Sequence, residues 1–254
     1  MANGIAQIRR SVLTLALPVT VSSLLQRAEG IVAVFLVGGL GAVPIAAVGL
    51  GQLLAFIATT LVSGLSVGSN VIVAQLWGAR RHEDAGQATR HFLGLSILIS
   101  LGLLSLGLLV NRLAMDVLGA QADVIHLALP YSNLIFLLIP FTILLQVLSS
   151  ILQGTGDTKT PMYAMIVVNL LHIAIAIPLI YGHWGLPALG INGAAIAVGI
   201  AEATGCLYLL TRCRPMLRHS HRFRFDLIRT IWHVGAPVSG ERVVQQAGIL
   251  LYTK

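Results

Sequence analysis

Acidic, amide and imidazole side chains interrupt several long apolar runs of this sequence, and such groups can bind a proton or a small cation. Glu29 lies in the first run and Glu202 in the sixth, while Asn169 and His172 lie three residues apart in the fifth. A charge near the middle of a bilayer costs roughly 3 kcal/mol, so a carboxylate there is a functional hypothesis by default. A neutral histidine can relay a proton or coordinate a cation. The alternatives are that Glu29 reaches water at the outer end of its run, that Glu202 reaches the inner interface, and that His172 is a packing residue.

Polar side chains also recur at helical spacing in the second and fourth apolar runs. Those of the second run are Gln52, Thr59, Ser63, Ser66 and Asn70, and those of the fourth are Thr142, Gln146, Ser149 and Gln153. At 3.6 residues per turn each set falls on one narrow stripe, which in lipid must face another helix or water. The cavity residues that we predict are Gln52, Thr59, Ser63, Asn70 and Gln146. Hydrogen bonding between helices is the alternative function of the stripes.

Membrane-spanning helices must position these side chains, because the composition is far from that of a soluble domain. The 254 residues are 56% hydrophobic and 10% charged, with a mean hydropathy of +0.88. A bilayer-spanning helix needs about 20 apolar residues. The sequence contains six complete apolar segments, Ser11 to Val37, Ile45 to Leu76, His91 to Val110, Val124 to Leu152, Pro161 to Tyr181 and Ile191 to Leu210, and a seventh that begins near Ile231. We therefore predict an all-α polytopic membrane protein, in which the third segment faces lipid.

The positive charges of the loops predict the orientation in the membrane. Alternate loops contain twelve Lys or Arg residues on one side and only Arg112 on the other. Positive residues are retained in the cytoplasm, so the amino terminus is expected there, in a multi-pass protein of the plasma (inner) membrane. The net charge of +7 is explained by these loops, and a nucleic-acid partner is not expected. Residues 212–230 mix Arg with apolar residues and predict an amphipathic cytoplasmic linker.

A shift of 219 residues aligns the seventh segment with the first. It matches Pro18 to Pro237 and Gln26 to Gln245, among six identities or near-identities. Six spans followed by a copy of the first indicate a transporter of two parallel bundles. We assign 1–211 to an amino-terminal six-helix lobe and 231–254 to the first helix of a second lobe, with Glu241 as that lobe's own acid. Prolines inside helices remove a backbone hydrogen bond, so Pro18 and Pro178 are predicted hinges.

Five stretches of the sequence together carry a family resemblance. They are LALPVTVSSLLQ, VGGLGAVPIAAVGLG, VIVAQLWGARRHEDA, ILQGTGDTKTPM and GLPALGINGAAIA. With these stretches the sequence resembles the multidrug and toxic compound extrusion (MATE) family of cation-coupled efflux transporters. The resemblance implies twelve helices in two lobes, of which this chain has the amino-terminal one, with the carboxy-terminal lobe missing. It also implies export of small hydrophobic or cationic compounds in exchange for H⁺ or Na⁺, with no other cofactor and no enzymatic activity.

The departures from the family pattern concern its ion site. The resemblance places Ala33 where the family often has an aspartate in the first span, and it places His172 and Ala176 on the family's Asn and Asp of span five. Glu29 lies one turn before Ala33 on the same face, so our hypothesis is that it replaces the missing acid. The predicted coupling cluster is Glu29, Asn169, His172 and Glu202. It has fewer carboxylates than a typical sodium site, which favours protons.

Two other functions are compatible with the composition. A lipid-linked oligosaccharide flippase would need a wide cationic groove, and Arg27 is the only arginine inside the six spans. A non-transporting membrane subunit of a redox complex would show buried lysines, and these spans contain none. Both features favour an antiporter. Because alternating access needs two lobes, we expect this chain alone to be inactive in transport.

Arg27 and Glu29 are two residues apart on a helix and point in different directions, so each needs a partner elsewhere.

Overall fold

The computed structural model describes residues 2–217 and Gly240, and its secondary structure consists of helices. The six α-helices of this part are α1 (Ala2–Val37), α2 (Ala42–Gly78), α3 (His82–Val117), α4 (Ala122–Gly154), α5 (Lys159–Tyr181) and α6 (Ile191–Leu217). All six are long and apolar enough to cross a membrane. The predicted all-α membrane fold is confirmed. The predicted seventh segment and its acid, Glu241, lie outside the described residues.

Three helices extend well beyond the apolar runs that predict them. α1 begins at Ala2, nine residues before the predicted start at Ser11. α3 begins at His82, nine residues before the predicted start at His91, and its first turn contains Glu83 and Asp84. Carboxylates there stabilise a helix because the amino-terminal end of the helix dipole is positive. α6 continues to Leu217, so the first part of the expected linker is helical and includes Pro215.

The bundle is organised around α4, which packs against α2, α3 and α6, while α1 packs mainly against α5. Glycines allow two of the close approaches. A Cβ on Gly154 of α4 would lie 2.7 Å from the carbonyl oxygen of Asn70 on α2. A Cβ on Gly193 of α6 would lie 2.6 Å from the carbonyl oxygen of Leu179 on α5. Small residues of α6 are also buried, including Ala194 and Ala197.

One side of α3 is apolar and exposed, and the other packs on α4. Leu109 is 82% exposed and Leu98 is 69% exposed, whereas Ser96 and Ser100 are fully buried. Near its end, α3 makes a polar contact with α4: the amide nitrogen of Asn111 donates to Ser132 Oγ at 2.7 Å. The description of α3 as a lipid-facing helix therefore applies to its apolar side only.

A further contact joins α3 to the end of α6. The guanidinium of Arg90 donates a hydrogen bond to the carbonyl oxygen of Leu217, the last residue of α6. One turn earlier on α3, Gly86 is buried directly against the carbonyl of Met216. A side chain at Gly86 would collide with that carbonyl, so the glycine permits the two backbones to meet.

Candidate functional site

A large open cavity of about 1280 Å³ lies between α1, α2 and α4, with contributions from α5 and α6. Its volume is sufficient for a drug-sized molecule, since ligand pockets usually occupy about 300–1,000 Å³. The wall is rich in hydroxyl and amide groups. Its polar and charged residues are Ser22, Ser23, Gln26, Arg27, Glu29, Gln52, Thr59, Thr60, Ser63, Ser66, Tyr131, Thr142, Gln146, Ser149, Ser150, Gln153 and Glu202.

Two carboxylates from opposite ends of the sequence face this cavity. Glu202 of α6 is only 5% exposed, so neighbouring helices cover its side chain. Its Oε2 accepts a 2.7 Å hydrogen bond from the hydroxyl of Thr142 on α4. Glu29 of α1 is half-buried, and one of its carboxylate oxygens is buried without a hydrogen-bond partner. The two acids interact electrostatically, so they form one anionic region in the wall.

Side-chain contacts hold α1 in place beside this acid pair. The side-chain amide of Gln52 on α2 donates to the carbonyl oxygen of Gly30, the residue after Glu29, at 3.3 Å. The same glutamine lies beside the buried side chain of Tyr131 on α4. At the far end of α1, the hydroxyl of Tyr181 donates to the carbonyl oxygen of Leu36 at 2.8 Å. Gln52 therefore positions the backbone of α1 next to Glu29 and connects three helices.

The predicted cavity residues occupy two different environments. Gln52, Thr59, Ser63 and Gln146 line the cavity. Asn70 does not belong to the lining, because its amide nitrogen donates to the carbonyl oxygen of Ser150 on α4 at 3.0 Å. The polar stripe on α2 thus has both of the functions expected for it, lining a cavity and hydrogen bonding between helices. Its first part faces the cavity, and its last residue bonds α2 to α4 where Gly154 brings the two backbones together.

The structure does not bring the polar residues of α5 into the cavity wall. Asn169 is buried and donates its side-chain amide to the carbonyl oxygen of Met165 at 2.9 Å, within its own helix. His172 is fully buried, and neither ring nitrogen has a hydrogen-bond partner. A buried polar group without a partner costs about 1–3 kcal/mol, so this imidazole needs an explanation. Of the four predicted coupling residues, Glu29 and Glu202 share the cavity wall, and Asn169 and His172 lie behind it.

Neither predicted hinge interrupts its helix. α1 is continuous through the buried Pro18. α5 continues through Pro178 to Tyr181, where the predicted fifth segment also ends. The carbonyl oxygen of Pro178 accepts the backbone N–H of Gly182, which closes the helix. Packing by neighbouring helices permits proline inside membrane helices, which is why neither helix breaks. The hinge function of both prolines stays a prediction.

Two functional features were missed in the sequence. Ser22, Gln26, Glu29 and Ala33 all line the cavity, and their spacing of four, three and four marks one face of α1. That pattern is visible in the sequence once Glu29 is taken as its centre. The bond between Thr142 and Glu202 joins residues 60 positions apart, and no local pattern reports it.

Within the described ranges, no group of three or more His, Cys, Asp or Glu residues forms a metal site.

Known proteins resemble the chain in sequence and in fold. The MatE family model matches residues 18–177. The "Probable multidrug resistance protein YoeA" of Bacillus subtilis is 31% identical over 218 residues, which are 85% of this chain and 46% of that relative. The "Probable multidrug resistance protein NorM" of Thermotoga maritima is 24% identical over 98% of this chain and 54% of that relative. The solved structure "Crystal structure of MATE in the bent conformation" superimposes with a TM-score of 0.87 at 24% identity, over 95% of this chain and 55% of that one. The chain thus spans about half the length of the relatives it matches.

Proposed function

This chain belongs to the MatE family of membrane transporters, and we propose that it forms the amino-terminal lobe of an efflux transporter that exchanges hydrophobic or cationic compounds for H⁺ or Na⁺. Relatives named as multidrug resistance proteins support efflux. The family consists of transporters and not of enzymes. The positive loops support a plasma-membrane protein with a cytoplasmic amino terminus.

The acid pair of Glu29 and Glu202 is the observation that carries the exchange mechanism. Two carboxylates at a partly buried wall have a large cost of desolvation unless positive charge compensates them. Protons or a sodium ion can supply that charge, and so can the cationic group of a substrate. Because both kinds of charge compete for the same carboxylates, loading of the ion favours release of the substrate. This competition is the basis of an antiport cycle.

The described cavity is open on one side, which supports the requirement for a second lobe. Alternating access needs two bundles that rock around a central site. We propose that the carboxy-terminal lobe covers this side in the complete transporter. The 254-residue chain by itself then performs no coupled transport, and substrate-dependent proton flux from this chain alone in proteoliposomes would contradict the proposal.

Neutralising one acid of the pair tests the mechanism. In a full-length transporter that contains this chain, Glu29→Gln and Glu202→Gln are each expected to abolish efflux driven by a proton or sodium gradient in proteoliposomes. Glu83→Gln is the matched control, because Glu83 is exposed in the first turn of α3 and outside the cavity. The two gradients are imposed separately to identify the ion. Efflux by Glu29→Gln at the wild-type rate, with unchanged dependence on both gradients, would exclude Glu29 from the mechanism.

A further inference from the structure

Arg27 is the one positively charged residue among the described residues that line the cavity. It is exposed, and within the described part of the chain its guanidinium has neither a hydrogen bond nor an ion pair. A guanidinium in the wall of a membrane cavity is costly unless an anion compensates it. The nearest acid along the sequence, Glu29, does not satisfy this need, because its carboxylate is directed away from Arg27.

The geometry of α1 separates the two charges around a single helix. Residues two apart are rotated by about 200° and rise by about 3 Å, so Arg27 and Glu29 occupy nearly opposite faces. Both faces still line the same cavity, which extends around α1. Ser23 accompanies Arg27 on one face, and Ser22 and Gln26 accompany Glu29 on the other. The cavity therefore has a positive region and a negative region on the two sides of α1.

The two regions also differ in exposure. Glu202 is 5% exposed, and Glu29 has one oxygen fully buried, so the acids lie deep in the wall. Arg27 is exposed and faces open space. A ligand with separated charges fits this arrangement if its cationic end points inward to the acids and its anionic end stays with Arg27. A ligand with a positive charge alone has the same attraction to the acids, but it is repelled by Arg27 and has no group that binds there.

We propose that Arg27 is a specificity-determining residue that binds the anionic group of zwitterionic substrates, a carboxylate or a phosphate. The guanidinium presents five N–H donors in a planar fork that matches both groups with two parallel hydrogen bonds. Selection of zwitterions over pure cations follows, because the same charge attracts one class and repels the other. The inference rests on the proposed function in one respect: the exported compound must enter this cavity.

A matched pair of dyes tests this proposal by binding, without any transport. Tetramethylrhodamine has a cationic ring system and a free carboxylate, and its methyl ester retains only the cation. Fluorescence anisotropy measures the Kd of each dye for the purified 254-residue chain in lipid-free detergent micelles. We expect wild-type protein to prefer the zwitterion. Arg27→Gln should weaken binding of the zwitterion by roughly tenfold and leave binding of the ester unchanged or stronger. Arg27→Lys keeps the charge and should retain part of the preference.

Arg112→Gln is the matched control, since it removes an exposed arginine outside the cavity and should change neither Kd. Circular dichroism checks that every variant is folded. Equal binding of the two dyes by wild-type protein, or an equal loss for both dyes in Arg27→Gln, would overturn the proposal. Loss of the zwitterion preference when phosphatidylglycerol is added would assign Arg27 to a lipid phosphate and would overturn it as well. Because the assay measures binding, its result does not depend on whether the protein performs coupled efflux.

Discussion

The hydroxyl of Thr142 on α4 donates a 2.7 Å hydrogen bond to Oε2 of Glu202 on α6. This bond fixes one oxygen of a nearly buried carboxylate and directs the group to the cavity that Glu29 also faces. A carboxylate oxygen with one fixed donor keeps its other lone pairs for a proton or a cation. Thr142 is therefore a positioning residue for the acid pair.

Thr142→Val removes the donor while preserving the shape of the side chain. The carboxylate of Glu202 would lose its hydrogen bond inside the protein, so we expect a loss of about 1–3 kcal/mol in stability. The melting temperature in detergent should fall, and the ion dependence of efflux should change. Thr142→Ser retains the hydroxyl and should behave like wild type in both measurements. Equal behaviour of the Val and Ser variants would show that the bond positions nothing.

His172→Leu distinguishes a functional from a packing role for the buried imidazole. Replacing a buried polar group that has no partner by an apolar one of similar size is expected to leave the melting temperature unchanged or to raise it. Efflux should nevertheless be lost if His172 relays protons behind the cavity wall. The control is His126→Leu, which changes an exposed histidine near the start of α4. Wild-type efflux by a stable His172→Leu variant would assign this residue to packing.

Gly154→Ala tests the close approach of α4 to α2. The added Cβ would lie 2.7 Å from the carbonyl oxygen of Asn70, and a backbone atom cannot rotate away. We expect a destabilisation of about 1–3 kcal/mol, typical of overpacking. Gly102→Ala on α3 is the matched control, because nothing lies within 4 Å of its Cβ position. That control should be neutral or slightly stabilising. Equal melting temperatures for the two variants would contradict the close contact of α4 with α2.

The helices could be predicted from the sequence because each one follows an apolar run long enough to cross a bilayer. The early start of α3 at His82 and the late end of α6 at Leu217 were missed, since polar residues continue both helices outside the apolar runs. Periodicity alone cannot find such extensions. It reports which residues share a face and leaves open which part of that face meets a neighbour.

The same limit explains the differences within the candidate site. Gln52 and Asn70 belong to one stripe on α2, yet only Gln52 lines the cavity. The difference arises because Asn70 lies where α2 meets the backbone of α4 at Gly154, and the place of such a contact is a property of the assembled bundle. For the same reason, the sequence identified Glu29 and Glu202 individually, while the contact of Glu202 with Thr142 required the fold.

The hydrogen bond between Arg90 and Leu217 has a mechanical consequence. Leu217 is the last residue of α6, so residue 218 and those after it are attached to the lobe at this point. Tension applied to the chain at that point is transmitted to α3 through the guanidinium bond, in addition to α6 itself. The backbones of α3 and α6 already touch at Gly86 and cannot be pressed closer, so this contact limits how the two helices can move against each other. α3 and α6 would thus bear an external load jointly.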